Sequence, residues 1–229
     1  MTTALNGSPA SRVAIVTGGS RGVGRATIRR LAARGYAVVV NYLHDQRAAE
    51  STVEAILACN GNAVAIRADI ADDVDVKRLF AETIAAFGGI DVVVHAAGSP
   101  ITASGVTKVG LDEFDALVRI NTRATFVVNR EAARHLRHGG AIVNLSSSAG
   151  SSLITYGVYA ATKSITDVLT RALALELRER NITVNAVALE AGRPCAPNEV
   201  ADVISYVLSE HGRRLTGQVL RVGDPGLRP

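Results

Sequence analysis

The fold is decided by the stretch VAIVTGGSRGVGRATIRRLAARG, residues 13–35. It opens on the apolar run VAIVT, which is typical of a buried strand, and closes on an amphipathic segment that predicts a helix ending at Gly35. The turn between them, TGGSRGVG (17–24), has glycines at positions where the backbone must bend tightly or pack closely. A helix that begins this way presents unpaired N–H groups to an anion. The stretch therefore predicts a phosphate-binding strand–turn–helix unit, with an ordinary strand–helix turn as the alternative.

Outward from this unit, apolar strands and helices alternate along the rest of the chain. We predict strands at 13–17, 37–41, 63–67, 90–98 (with its turn), 141–148, 182–189 and 217–222, and helices at 23–35, 48–61, 73–89, 111–140, 158–180 and 197–210. Continuously apolar strands separated by helices are typical of a parallel sheet that is covered on both faces. The expected fold is thus a single α/β domain over residues 12–229, a doubly wound, Rossmann-like sheet of about seven strands, after a flexible tail at residues 1–11.

The composition narrows the function classes. Of 229 residues, 48% are hydrophobic and 20% charged, and the formal net charge is +4. The arginines are scattered and not interleaved with aromatics, so we expect no nucleic-acid partner. The N-terminus lacks a signal-peptide pattern, and no apolar run is long enough to span a membrane. Cys59 and Cys195 are too far apart for a metal-binding pair. We expect a cytoplasmic protein with free thiols and no metal site.

The end of the second predicted strand indicates which dinucleotide would bind. NAD-binding sites usually place a carboxylate there, about 20 residues after the glycine turn, to hold the ribose hydroxyls. This chain has Asn41 and Tyr42 at that point, and Asp45 comes later, in the predicted loop. Arg21, within the glycine turn, could face a 2′-phosphate, with an exposed loop charge as the alternative. The sequence therefore predicts NADP(H) in preference to NAD(H).

Tyr159 and Lys163 are one helical turn apart near the start of the predicted helix 158–180. Such a pair is either a half-exposed surface pair or a proton donor with a cation beside it. A tyrosine has an ordinary pKa near 10, and a cation within roughly 4–6 Å lowers the pKa of its phenol. Residues four apart on a helix are neighbours, so Lys163 is predicted to lower the pKa of Tyr159.

Two further segments are expected to lie near this pair. The fifth strand ends in NLSSSAG (144–150), which places serine hydroxyls at the edge of the sheet where a carbonyl substrate would lie. Asn121 is in the middle of a predicted helix, where asparagine is unfavourable. We interpret its position as functional, with a tolerated surface asparagine as the alternative.

Taken together, these motifs closely resemble those of the short-chain dehydrogenase/reductase family, over residues 11–223. The resemblance is carried by TGGSRGVG, AAG (96–98), Asn121, NLSSSAG, YAATK (159–163) and ITVNAVA (182–188), in the family's order. It implies that Tyr159 is the general acid/base and that Lys163 lowers its pKa and binds the nicotinamide ribose. Asn121 would support a water-linked proton relay.

The resemblance implies two further sets of residues. A serine would polarise the substrate carbonyl; Ser147, three residues before Gly150, is the prediction, and Ser146, thirteen before Tyr159, is the alternative. The cofactor would contact residues of the glycine turn, the second strand and the two loops after the third and fourth strands: Gly18, Ser20, Arg21, Gly22, Val23, Gly24, Asn41, Tyr42, Asp69, Ile70, Ala97, Gly98, Tyr159 and Lys163. His95 stands where the family more often has asparagine, and we interpret it as a packing residue.

The chain departs from the family pattern after the sixth strand. Leu189 and Glu190 replace the usual Pro-Gly turn, and only a short connection leads to the last helix, where relatives have a substrate-covering lid. We therefore expect an open pocket and a weaker grip on the nicotinamide carboxamide.

The leading hypothesis is an NADPH-dependent reductase of a ketone or aldehyde, similar to the 3-oxoacyl-carrier-protein reductase and general ketoreductase branch. Its substrate would be a small molecule, with a carrier-bound one left open. One alternative is a dinucleotide-binding relative that has lost efficient catalysis and acts as a scaffold. Another is non-redox lyase or isomerase chemistry in the same pocket. The resemblance also implies a homodimer or homotetramer.

Overall fold

Strands and helices alternate through the computed structural model, which describes residues 11–98, 105–148, 153–190 and 195–223. The strands are β1 Val13–Thr17, β2 Ala37–Tyr42, β3 Asn62–Arg67, β4 Ile90–His95, β5 Leu136–Ser148, β6 Thr183–Glu190 and β7 Val219–Val222. The helices are α1 Gly22–Ala33, α2 Gln46–Leu57, α3 Asp73–Phe87, α4 Leu111–Leu117, α5 Ala124–His135, α6 Leu153–Glu176 and α7 Pro197–Val207. Of the predicted N-terminal tail, all but Ser11 lies outside the described residues.

The strands form one sheet of seven, in the order β3-β2-β1-β4-β5-β6-β7, and every neighbouring pair is parallel. The chain moves outward from β1 to β3 and then returns to the other side of β1 with β4. This reversal leaves a crevice beyond the carboxyl ends of β1 and β4, where open α/β sheets bind their ligands. The predicted fold class, a doubly wound parallel sheet with helices on both faces, is confirmed.

The core has one layer on each face of the sheet. On one face, alternate residues of the strands pack against α3, α5 and α6, with Phe80 and Leu79 fully buried. On the other face they pack against α1, α2 and α7, with Ile28, Leu31 and Ile204 fully buried. Since successive side chains of a strand point to opposite faces, strands that are apolar at nearly every position contribute side chains to both core layers.

At the edge of the sheet opposite the crevice, arginine side chains bind backbone carbonyl groups. In a parallel α/β fold the helix C-termini, with their unpaired carbonyls, gather at that edge. Arginines bind these carbonyls: Arg180 donates to Ala133 and Leu136, and Arg137 donates to Gly88. These arginines therefore complete the backbone hydrogen bonding of the fold.

All six predicted helices differ at one or both ends from the structure, and two of them differ most. The predicted helix 111–140 is interrupted by a π-helical segment, Val118–Arg123, and ends at His135. Leu136 has an extended backbone and pairs with Ile90 of β4, so β5 begins earlier than predicted. The predicted helix 158–180 begins earlier, at Leu153, has a non-helical residue at Tyr156, and ends in a separate 3-10 turn.

Candidate active site

The glycine turn lies against the loop that follows β4. Gly18 has a φ of +64°, and a β-carbon there would lie 2.9 Å from the Cα of Ala97. A β-carbon at Gly24 would lie 2.2 Å from the Gly18 carbonyl oxygen. Neither position has room for a side chain, so α1 begins close to the carboxyl ends of β1 and β4. This closeness is the feature that dinucleotide-binding turns need.

The start of α1 can accept an anion. Arg21 is the N-cap residue, and no side chain caps the first N–H groups of this helix within the described chain. The side chain of Arg21 is exposed, whereas that of Ser20 is buried and Val23 packs against the core. Uncapped N–H groups beside an arginine form a site of positive potential for phosphate.

The end of β2 carries no carboxylate toward the crevice. The amide of Asn41, which is buried, donates to the Ala68 carbonyl oxygen over 3.1 Å, and its backbone carbonyl accepts from the Gly19 N–H. Asp45 accepts from the Ala48 N–H and is the N-cap of α2. Asp45 thus begins α2, at the end of the loop in which the sequence predicts it.

The loop after β3 holds Asp69 in a network of hydrogen bonds. Its carboxylate accepts from the Ala71 N–H at 2.9 Å and from the Arg119 guanidinium at 2.7 Å. Partial burial opposes ionisation, but these hydrogen bonds outweigh it and lower the pKa of Asp69. Ile70 beside it is buried. Arg119 was not predicted, because it lies 50 residues away in sequence.

Tyr159 and Lys163 are buried together near the start of α6, with 8% and 3% of their surfaces exposed. This rules out the alternative of a half-exposed surface pair. The ring of Tyr159 packs with Leu117 and Val158. The Lys163 ammonium donates to the Leu145 carbonyl oxygen at 3.3 Å, and burial lowers the pKa of Lys163 to about 8.

The predicted effect of Lys163 on Tyr159 is not found in this structure. Burial raises the pKa of Tyr159 above its ordinary value, and desolvation is its only cause. The physical reason is that the low-dielectric surroundings penalise the phenolate. Tyr159 therefore keeps its proton at neutral pH.

Asn121 is fully buried, which rules out a surface asparagine. It lies in the π-helical segment, and its amide donates to the Thr162 hydroxyl at 3.0 Å. That hydroxyl in turn donates to the Tyr159 carbonyl oxygen at 2.8 Å. Thr122 adds a hydrogen bond to the Thr162 carbonyl oxygen. The π-helical break is thus the place where the predicted helix is bonded to α6.

Polar groups from two elements, α6 and the π-helical segment, converge over Gly98, which follows β4. A β-carbon built there would lie 3.1 Å from the Lys163 amine nitrogen and 3.5 Å from Asn121 Oδ1. The bare backbone of Gly98 keeps this corner of the crevice open beside both groups. The structure therefore brings together the predicted residues Gly98, Asn121 and Lys163, and it links Tyr159 to Asn121 through the Thr162 hydroxyl.

The two candidate serines differ in their surroundings. Ser146 is buried, and its hydroxyl donates to the Asp167 carboxylate of α6 at 2.6 Å. Ser147, the next residue, points to the other face of the sheet and is partly exposed at the end of β5. Ala149 and Gly150 of the same motif lie outside the described residues. Ser146 thus faces α6, which carries Tyr159 and Lys163, and Ser147 stays the prediction that the motif makes.

Two alanine substitutions test this choice. Ser147→Ala is expected to lower kcat about 100-fold, the usual cost of losing a donor to a developing oxyanion. Ser146→Ala is expected to cost about 1 kcal/mol of stability and to leave kcat within about threefold of the parent. Steady-state kinetics and thermal melting of both variants check the assignment. The opposite pattern of kcat losses would assign the role to Ser146.

His95 is a fully buried polar residue beneath the crevice. Its Nδ1 lies 2.9 Å from the Thr17 hydroxyl and its Nε2 lies 3.2 Å from the Thr125 hydroxyl. Burial, with a smaller contribution from the charge of Lys163, lowers the pKa of His95 to about 3. The imidazole is therefore neutral at physiological pH, as expected for a residue that is not an acid/base catalyst.

Several residues of this arrangement were missed by the sequence interpretation. They are buried or partly buried hydroxyls and one carboxylate that hold the predicted residues: Thr17, Thr125, Thr162 and Asp167. One signal was available in the sequence, because Thr162 and Asp167 flank Lys163 on the helix face that carries Tyr159. Their partners lie 21 to 41 residues away in sequence, so the contacts themselves could not be read from spacing.

The connection after β6 is short. Leu189 packs against the core, β6 ends at Glu190, and α7 begins at Pro197. Residues 191–194 of this connection, where we expect most of a lid to be missing, lie outside the described residues. Among the described residues, no group of His, Cys, Asp and Glu could hold a metal ion, and none of the helices is apolar and long enough to cross a bilayer. Cys59 and Cys195 are free.

Comparison of this chain with known proteins gives a matching family and several similar relatives. The model of the short chain dehydrogenase family matches residues 12–192. Versicolorin reductase 1 of Aspergillus parasiticus is 43% identical over 255 aligned positions, which cover 95% of this chain and 97% of that protein. A hydroxynaphthalene reductase-like protein of Metarhizium majus is 39% identical over 183 residues, covering 79% of this chain and 68% of that one.

Solved structures of other proteins share this fold. A short chain dehydrogenase from Burkholderia cenocepacia, solved in complex with NADP, superposes with a TM-score of 0.86 at 34% identity, covering 93% of this chain and 96% of that one. The alignment with versicolorin reductase 1 is longer than the 229 residues of this chain, so that relative contains residues with no counterpart here. This agrees with a shortened segment in the present chain.

Proposed function

Because the chain belongs to the short-chain dehydrogenase family, we propose that it is an NADPH-dependent reductase that converts a ketone or aldehyde to an alcohol. The observation that carries this proposal is the buried pair of Tyr159 and Lys163 beside Asn121 at the open end of the crevice. Reductases among its relatives and an NADP-bound structural neighbour support it. An assay of NADPH oxidation against a panel of ketones and aldehydes tests it; no turnover with confirmed NADPH binding would favour a scaffold instead.

The residues present fit a dinucleotide. Gly18 and Gly24 leave no room for side chains, and the uncapped start of α1 suits a pyrophosphate. Asp69 and Ile70 would border the adenine, and Ala97 and Gly98 would line the middle of the crevice. Lys163 would hold the nicotinamide ribose through its ammonium. When bound, the reduced cofactor supplies the hydride that the protein itself cannot provide.

The protein's own residues then handle the carbonyl oxygen. Ser147 donates a hydrogen bond to this oxygen and stabilises the charge that develops on it. Tyr159 transfers its phenolic proton to the same oxygen as the alcohol forms. The raised pKa of Tyr159 keeps that proton in place until it is needed, and the ammonium of Lys163 favours its release at that moment. Asn121, fixed by Thr162, supports the return of a proton to Tyr159.

The preference for NADPH over NADH rests on Arg21 and on the end of β2. No carboxylate of the described residues there would repel a 2′-phosphate, since Asn41 is bonded to Ala68 and Asp45 caps α2. Arg21 is exposed beside the phosphate site and offers a planar, permanently charged group.

Substitution of this arginine tests the preference. Arg21→Ala is expected to raise the KM for NADPH roughly tenfold, the effect of one lost charge-assisted hydrogen bond, and to leave the KM for NADH unchanged. Arg25→Ala, which removes an exposed arginine one turn further along α1, is the matched control. The proposal fails if both variants affect the two cofactors equally.

A further inference from the structure

A continuous path of hydrogen bonds runs beneath the crevice, from the loop after β4 to the π-helical segment. The Ala97 N–H donates to the Thr17 hydroxyl at 3.2 Å, and the Thr17 hydroxyl lies 2.9 Å from His95 Nδ1. On the other side of the imidazole, Nε2 lies 3.2 Å from the Thr125 hydroxyl. That hydroxyl donates to the Asn121 carbonyl oxygen at 2.5 Å. All three side chains of the path are fully buried.

The direction of the path follows from the number of protons available. A carbonyl oxygen can only accept a hydrogen bond, so the Thr125 hydroxyl must donate its single hydrogen to the Asn121 carbonyl oxygen. His95 Nε2 must therefore carry a proton in order to bond to Thr125. At the other end, the Thr17 oxygen accepts from Ala97, which leaves its own hydrogen for Nδ1. One protonation state satisfies every group: a neutral imidazole with its proton on Nε2.

The path joins three segments that form the floor of the proposed active site. Thr17 is the first residue of the glycine turn, Ala97 precedes Gly98, and Asn121 lies beside Lys163. The segments belong to β1, the loop after β4 and the π-helical break, and the imidazole lies between all of them. A side chain that only filled space would not require two nitrogens matched to two hydroxyls.

We propose that His95 is a positioning residue, which fixes the Asn121 segment relative to the β4 loop through the Nε2–H tautomer. It touches neither substrate nor cofactor and acts through Thr125 and Thr17. The Asn121 branch is expected to govern turnover, because a small displacement of the groups around Tyr159 and Lys163 misaligns the proton transfer. The kinetic part of this proposal rests on the proposed function, whereas the tautomer does not.

Nitrogen-15 NMR of histidine-labelled protein tests the tautomer directly. One of the five histidines is expected to show a protonated Nε2 and an unprotonated Nδ1, unchanged between about pH 5 and about pH 8. Its assignment comes from the signal that disappears in His95→Gln. A proton on Nδ1, or titration near the ordinary value of about 6.5, would overturn the proposal.

Kinetics test the positioning role. Thr125→Val keeps the shape of the side chain and removes the bond to Asn121; kcat is expected to fall about tenfold and the NADPH Kd to change less than about threefold. His95→Phe is expected to lower kcat at least as much, and His95→Gln, which retains an N–H donor, less. Because one path is broken each time, the double variant His95→Phe/Thr125→Val should lose no more than His95→Phe alone.

The matched control is Thr83→Val. Thr83 is also fully buried and also donates to a helix carbonyl four residues back, Leu79, but it lies in α3, away from the crevice. Its loss should lower thermal stability about as much as Thr125→Val and leave kcat unchanged. Equal kcat values in the two variants, or additive losses in the double variant, would show that His95 is only structural. Absence of turnover in the unmutated protein would count against the proposed function. The NMR measurement of the His95 tautomer would then be the test of the hydrogen-bond path.

Discussion

Replacing Tyr159 with phenylalanine is expected to reduce kcat about 10³-fold, because the substitution removes the proton donor and little else. The ring would keep its contacts with Leu117 and Val158 in the core. Burial already raises the pKa of the phenol, so at neutral pH the side chain that is lost is neutral and no buried charge is left behind. The NADPH Kd and the melting temperature should therefore stay close to those of the parent.

Tyr156→Phe provides the matched control for this prediction. Tyr156 lies less than one turn before Tyr159 in α6, is more exposed and has a non-helical backbone. Steady-state kinetics and fluorescence titration with NADPH should show a large kcat loss in the Tyr159 variant alone. Full turnover by the Tyr159 variant would exclude this residue as the acid and, with it, the proposed mechanism.

Replacing Lys163 with methionine is expected to reduce kcat/KM at least about 100-fold, because one ammonium serves both the ribose and the proton transfer. The loss of charged hydrogen bonds, at about 1.5–3 kcal/mol each, should weaken NADPH binding by roughly 10- to 100-fold. The folded state should not suffer, since burial disfavours the ammonium and methionine fills a similar volume. A variant that is as stable as the parent, yet much less active, is the expected signature.

The pH dependence of cofactor binding offers a second measurement on the same amine. Burial lowers the pKa of Lys163 to about 8, so the ammonium is present below that pH and is lost as the pH rises through it. The affinity of the parent for NADPH should therefore fall on the alkaline side of about pH 8, and the methionine variant should show no such fall. Lys77→Met, which removes an exposed lysine of α3, is the control. Identical pH profiles for the parent and the Lys163 variant would contradict this role.

Much of the architecture could be predicted because it depends on short-range rules. Apolar strands alternating with helices require a parallel sheet covered on both faces, and the observed order of seven strands agrees. Glycine at positions 18 and 24 is required by local geometry, a positive φ in one case and a carbonyl 2.2 Å from a would-be side chain in the other. Spacing also placed Tyr159 and Lys163 on one helix face, since residues four apart are neighbours.

The helix boundaries show where short-range rules no longer predict the structure. Residues 118–123 lie within a continuous predicted helix, and the π-helical break there coincides with the attachment of Asn121 and Thr122 to Thr162 of another helix. Likewise, Leu136 continues a helical pattern, but it pairs with Ile90 and joins the sheet. In both places a long-range contact outweighs local propensity.

What the sequence by itself determined is therefore the sheet and the glycine turn, together with a set of candidate residues for the site. The tertiary structure alone decided their states: that Ser146 is engaged by Asp167, that Asp69 is held by Arg119, and that burial raises the pKa of Tyr159. It also decided that His95 bridges hydroxyls that lie 78 and 30 residues away. The reason is physical, since backbone geometry is set by neighbours in the chain, whereas protonation and hydrogen bonding depend on desolvation and on partners that only folding brings within reach.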